Sequence, residues 1–438
     1  MLKTTRRALR TLPPSLVRAI ARLGQHSGTG TPASDTLEPP QNGPEPQSEA
    51  HPETGLEAGL DIPVRDLTAE HDAARASQDR GLFLARQDRW GELAQEIRAA
   101  DAARSASPGG VPLAELLAFG ARCDVVHAVE HALAEGAGEK DPALLSGVMG
   151  LEAVRQEHRH DPYVNLVVAQ AHTDIGWAWR GTGDAAALPA LNRQRCAAHF
   201  ERAARLLAPF DATELDSPAI AAAQCALLAR QPGTAAQLAD RYAELIDLDP
   251  QNFRAMRALG AHLLPRAGGS LDALELEARR TAARSEAAWG AGGYAWVCFD
   301  AIAQDPAACD RVDVAFFIDG LRDIVAARPG QEMINLLAAY CAVALRRDAR
   351  EDGPDSPRAQ IADCAGWLIR DHLTELHPMI WAHAAQGFDN NARVTSPQRF
   401  AARGRADGLR AIAEQFRDDL ERGLRITFTP DGPVTGRT

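Results

Sequence analysis

From about residue 64 to residue 425 the chain is cut into helix-length segments by short Gly, Pro and Asp breaks. No stretch between the breaks alternates apolar and polar residues as a half-buried strand does. Asp161-Pro162, Asp249-Pro250, Asp305-Pro306 and Pro329-Gly330 are typical of these breaks, and their spacing allows roughly a dozen or more helices joined by short turns. Composition points the same way. Aromatic residues make up only 5 % of the 438 residues, and the interior is rich in alanine. A core of small side chains has to be closed by near approach of its elements, and alanine favours helix over strand. The sequence therefore predicts an all-α chain.

The ends differ from the middle. Residues 1–23 carry Lys3, Arg6, Arg7, Arg10, Arg18 and Arg22 without an acid, and Leu16, Val17, Ile20 and Leu23 fall on one face of a predicted helix that stops at Gly24. Residues 25–63 carry carboxylates but no Lys or Arg and are rich in Pro, Gly, Ser and Thr, so they read as a disordered acidic linker. The predicted organisation is a basic amphipathic segment at 1–24, that linker, a helical domain at 64–425 and a tail at 426–438. An anionic membrane surface or a protein is the expected contact of residues 1–23.

Net charge and cysteine spacing limit the function. At −12, with 47 basic and 59 acidic residues, the chain as a whole is no general nucleic-acid binder. The cysteines at 123, 196, 225, 298, 309, 341 and 364 form no Cys-x-x-Cys pair, so reduced, buried thiols are expected. No run reaches the 18 apolar residues of a membrane span and no apolar leader precedes Pro13, so a cytoplasmic chain is expected.

A period of about 34 residues is the signature of stacked helix pairs, and the interval from 219 to 263 keeps it. Tyr242-Ala-Glu-Leu-Ile-Asp-Leu-Asp-Pro250 places a helix-ending proline eight residues after a tyrosine. Ala226 then falls at the small contact position of the first helix, and Leu238 at that of the second, where the usual residue is smaller. Leu259-Gly260-x-x-Leu263 opens the next unit on schedule. Ile175-Gly176-x-x-Trp179, followed by Cys196-x-x-x-Phe200-x-x-Ala203, makes an earlier pair with about eight extra residues between its helices. These residues resemble tetratricopeptide repeats, which implies an α-solenoid of antiparallel helix pairs over residues 160–350. A narrower likeness rests on Gly176-Trp-Ala-Trp179-Arg180-Gly181-Thr-Gly183, followed by Phe200-x-x-Ala203 and Pro265-Arg-Ala-Gly-Gly-Ser270, which look like elements of an uncharacterised bacterial family of such helical proteins. That resemblance implies a fold and no activity.

One string carries metal chemistry. In His127-Ala-Val-Glu130-His131 the two imidazoles lie one helical turn apart, as zinc ligands do, with Glu130 placed to activate a water. A third ligand is needed, Glu201 first and Glu214 as the alternative. The flanking helix lacks the strands of a peptidase, so a zinc-dependent hydrolase is the rival reading and a solvated helix face the simpler one. Gly268-Gly269-Ser270 and Gly290-x-Gly292-Gly293 read as turns, because neither carries a P-loop lysine or follows a strand. Trp177, Trp179 and Arg180, with Tyr294 and Trp296, are candidates to line a concave partner-binding face, and core packing competes for the same residues. The leading expectation is a non-enzymatic helical-repeat scaffold for a protein partner, with no catalytic residues and no cofactor.

Overall fold

A computed structural model describes residues 55–136, 141–181, 188–228, 235–345, 353, 355–386 and 396–437. The basic segment at 1–24 and the linker up to residue 54 lie outside the described residues.

The chain is mostly helical. Its longer helices are α1 (Ala69–Arg86), α2 (Trp90–Ala102), α3 (Leu113–Ala134), α4 (Pro142–Glu157), α5 (Pro162–Arg180), α6 (Ala190–Leu207), α7 (Pro218–Leu228) and α8 (Ala235–Leu248). After them come α9 (Phe253–His262), α10 (Leu271–Arg284), α11 (Gly292–Gln304), α12 (Val314–Ala327), α13 (Gln331–Ala339), α14 (Pro378–Gln386) and α15 (Pro397–Gln415). The breaks read from sequence act through local chemistry. Asp161 accepts hydrogen bonds from the amides of Tyr163 (2.8 Å) and Val164 (3.1 Å), and Pro162 opens α5 where its missing N–H costs nothing. Asp305-Pro306 does the same for a short helix at Pro306–Arg311, with the Ala307 amide donating to Asp305 at 3.0 Å.

Most packing partners lie one or two helices apart along the chain. α1 and α2 pack on α3, α3 on α5, α5 on α6 and α7, α7 on α8, and α9 and α10 on α11. A continuous apolar core runs from Leu60 to Phe428. The motif glycines are where backbones meet. A Cβ on Gly260 of α9 would lie 1.7 Å from the Val297 carbonyl oxygen of α11, and one on Gly176 of α5 would lie 2.8 Å from the Phe200 ring of α6. Only hydrogen fits at these positions, so the small residues of the repeat signature set the helix spacing.

Three short strands add a small sheet to the mostly helical chain. The stretch placed in a tail at 426–438 forms β2 (Leu424–Thr429) and β3 (Gly432–Arg437), an antiparallel hairpin in which Ile426 faces Thr435 and Thr429 faces Gly432. β1 (Leu60–Asp61), placed in the linker, pairs in parallel with β2, Leu60 opposite Ile426. The Leu376 amide donates to the Pro63 carbonyl at 2.8 Å and the Arg65 amide to the Leu376 carbonyl at 2.8 Å. Residues 55–63 are thus part of the folded body, because Leu56, Leu60 and Ile62 supply apolar surface that the Pro-rich stretch before them lacks. Among the described residues, no helix is long and apolar enough to cross a membrane.

Candidate functional site: a small-residue cleft with buried carboxylates

Helices α2, α3, α5 and α7 meet around a cleft of about 140 Å³. Its apolar wall is built largely from alanines, including Ala114 of α3 and Ala222, Ala223 and Ala226 of α7. Small side chains on converging helices leave this space because they hold the backbones close without filling the gap between them. Into it come four carboxylates (Asp101, Glu115, Asp174 and Asp249) and two guanidiniums (Arg104 and Arg122).

Asp101, at the end of α2, is 4 % exposed. Its carboxylate accepts from the Tyr163 hydroxyl at 3.0 Å, the Ala219 amide at 2.9 Å and the Ser217 hydroxyl. Ser217 in turn accepts the Ile220 amide at 3.2 Å, so Asp101 and Ser217 together cap the start of α7 from two sides. Burial raises the Asp101 carboxyl above the usual range against these hydrogen bonds.

Both lining arginines are engaged by the protein. Arg122 donates to Asp174 at 2.8 Å and to Gln170 at 3.0 Å. Arg104 reaches the carbonyls of Leu248 (3.1 Å), Asp101 (2.9 Å) and Asp216 (3.1 Å) and pairs with the Asp216 carboxylate. Its φ of 50° is rare for a side chain this large, and those bonds hold it there. Arg104 thereby ties the end of α2 to the ends of α7's entry loop and α8.

Both donors and acceptors around the cleft are left short of partners: among the described residues the buried Arg254 guanidinium has no hydrogen-bond partner at Nε, Nη1 or Nη2. Asp249 is 8 % exposed, and its carboxylate accepts the Gln251 amide at 3.3 Å. Its carboxyl is raised by burial and by the Asp101 charge, with the Gln251 amide and Arg104 opposing. Asn252 stands at the N-cap of α9, yet its side chain makes no capping bond and its Oδ1 has no hydrogen-bond partner among the described residues. Glu115 meets Arg254 at 3.5 Å, a charge contact longer than a hydrogen bond.

A second polar cluster crosses α4, α5 and α6. His172 Nε2 lies 3.0 Å from Glu152 Oε1, and its Nδ1 lies 2.8 Å from His199 Nδ1. Arg202 grips Glu152 with two bonds of 2.7 and 2.6 Å. Burial pushes Glu152 up, but the Arg202 and His172 hydrogen bonds and charges outweigh it and bring the carboxyl down to about 2. Burial lowers both imidazoles, with His172 adding to the effect on His199, which falls to about 4.

The aromatic candidates are buried. Trp177, Trp179 and Arg180 are 4 %, 7 % and 6 % exposed, and Tyr294 and Trp296 are fully buried. Trp177 meets Phe200 edge-on at 5.2 Å, while Trp296 stacks on Phe253 at 4.4 Å. The Tyr294 hydroxyl donates to Glu275 at 2.7 Å and accepts the Asp313 amide at 2.8 Å. In an alanine-rich interior these large rings are what fills the core between helices, which is the competing role the sequence allowed.

His127, Glu130 and His131 lie on α3, with His131 exposed, and Glu201 is exposed on α6. Among the described residues no group of three His, Cys, Asp or Glu side chains is placed to hold a metal ion, so Glu201 and Glu214 do not complete the string. All seven cysteines are buried and free of disulfides. Burial raises the Cys123 thiol to about 11 and the Cys225 thiol to about 12. Comparison with protein-family models, with curated proteins and with solved structures finds no match to this chain.

Proposed function

We propose that the chain is a non-enzymatic scaffold built of tetratricopeptide-like helix pairs, and that it holds a segment of a protein partner in the cleft between α2, α3, α5 and α7. The observation that carries this reading is the cleft itself. It has an alanine wall and inward-facing polar groups drawn from segments as far apart as Asp101 and Asn252. Packing of most helices on others one or two places along the chain supports stacked pairs, whose concave side commonly serves binding. Rigid helices support the wall, and the bonds of Asp101 and Arg104 hold its two sides in register. A cytoplasmic partner fits the reduced, buried thiols.

The experiment is a paired capture from native lysate with the full chain and its Ala226→Phe variant. Ala226 is half-buried on the cleft wall, so the larger ring occupies the cleft while its own helix keeps its buried face. A protein retained by the original chain and lost by the variant, at equal melting temperature, is the expected result. Retention of the same proteins by both contradicts the reading.

A further inference from the structure

The outward face of α15 is basic, on a chain whose net charge is −12. Arg399, Arg403 and Arg410 fall on one line of the helix, at spacings of four and seven residues, with the exposed Ala402 and Ala406 between them. From Pro397 to Ala413 the only acid is Asp407, which takes Arg410 at 2.9 Å. Among the described residues no carboxylate pairs with Arg399 or Arg403. Helix stability does not explain these cations, because Arg399 stands in the first turn of α15, where the helix dipole disfavours positive charge. The opposite face packs on α14, with Gly404 against the Pro378 carbonyl, and the arginine line is left open.

The chain supplies a counterpart and brings it to this place. Residues 25–54 hold Asp35, Glu38, Glu45, Glu49 and Glu53 and no Lys or Arg. They join the described body at Gly55, and the short 3-10 helix that follows, Leu56–Gly59, packs on α15 and on the short helix Arg417–Glu421. The line from Arg410 to Arg399 is ~16 Å long, and residues 45–54 reach ~33 Å when extended, so Glu45, Glu49 and Glu53 can all lie along it. We propose that the acidic segment around Glu45, Glu49 and Glu53 docks on the arginine line of α15 in the same chain. Tethering at Gly55 gives these carboxylates a high local concentration at the helix, so weak ion pairs are enough. The docked segment closes the strip to other polyanions and yields it when salt screens the pairs. This contact is independent of the cleft and of the scaffold reading.

The test is the separation between spin labels at Ser48→Cys and Gln398→Cys in the full chain, whose seven native thiols are buried and so escape labelling under native conditions. At about 0.01 M salt one short, narrow separation is expected, and at about 1 M, where the screening length falls to ~3 Å, a broad distribution should replace it. Arg399→Gln with Arg403→Gln should cause the same loss at low salt, and so should Glu45→Gln, Glu49→Gln and Glu53→Gln together. Exposed ion pairs add little to folding stability, so unchanged melting temperatures establish that these variants keep the fold. An about tenfold excess of unlabelled chain should leave the narrow separation in place. Its loss there puts the segment on a second copy and overturns docking within one chain. A broad distribution at low salt, or a narrow one that survives either set of substitutions, likewise overturns the proposal.

Discussion

Asp101 accepts the backbone amide of Ala219 at 2.9 Å across 118 residues of chain, so a carboxylate at the end of α2 acts as a cap for α7. The same carboxylate holds the Tyr163 hydroxyl of α5, and three helices that line the cleft therefore share one buried anion. Asp101→Ala leaves three buried donors without an acceptor and is expected to cost about 3 kcal/mol. Asp101→Asn keeps the shape but can turn only one acceptor oxygen toward them, at a cost of about 1–2 kcal/mol. Urea unfolding measures both, and a loss below about 0.5 kcal/mol for the alanine variant contradicts this role for Asp101.

Two glycines should respond in opposite directions to the same change. At Gly260 an added Cβ meets the Val297 carbonyl oxygen at 1.7 Å, and backbone on both sides leaves nothing flexible to give way. Gly260→Ala is expected to cost more than about 3 kcal/mol or to prevent folding. Gly150, inside α4, has nothing within 4 Å of such a Cβ, so Gly150→Ala should stabilise by about 0.5–1 kcal/mol through helix propensity and unfolded-chain entropy. Melting temperatures of the two variants give the signs directly, and equal signs contradict the account of close helix approach.

How much of this could be read beforehand depended on how local the cause was. Gly260, Gly176 and Phe200 carried a spacing that only close helix pairs need, and they are where the helices touch. Ala226 was placed at a contact position and lines the cleft. The cleft itself was hidden, because Asp101, Glu115, Asp174 and Asp249 come together only through packing and share no short motif. Asp249-Pro250 read as a helix stop, which says nothing about where its carboxylate points. The aromatic candidates are buried for a physical reason: with so few rings in the chain, core volume claims them first. The hairpin was missed although Ile426-Thr-Phe428-Thr alternates and Pro430-Asp-Gly432 is a turn, a short signal at the end of a long helical pattern.

Acid should loosen the α4–α5–α6 contact. The unfolded chain protonates His199 near 6.5, whereas the folded chain resists until about 4, because burial and the neighbouring His172 and Arg195 disfavour the cation. Stability is therefore full above pH 6.5 and falls as pH drops toward 4, by up to about 3 kcal/mol from this group. His262, also lowered to about 4 by burial, acts in the same direction. His377 acts oppositely: burial lowers it, but Glu332 and Glu375 outweigh that and raise it, so its contribution is lost as pH rises. Urea midpoints between pH 4 and 7.5 should show a shallower acid limb for His199→Gln than for the original chain, and parallel limbs contradict the assignment.

Truncation separates the folded body from what precedes it. A chain beginning at Gly55 keeps the short 3-10 helix Leu56–Gly59, β1 and the Pro63–Leu376 bond, and should melt with the full chain. One beginning at Val64 loses β1 and the buried Leu60, and should melt several degrees lower. Identical melting of all three contradicts the place of β1 in the sheet.

The most direct measurement for the central claim is site-specific photocrosslinking in native lysate. A photoreactive residue replaces Ala226 on the cleft wall in one sample, and Leu276, 49 % exposed on α10, in another. The account predicts a discrete crosslinked protein from position 226, absent from position 276. Crosslinks from position 276 with none from 226, or the same products from both, would contradict it.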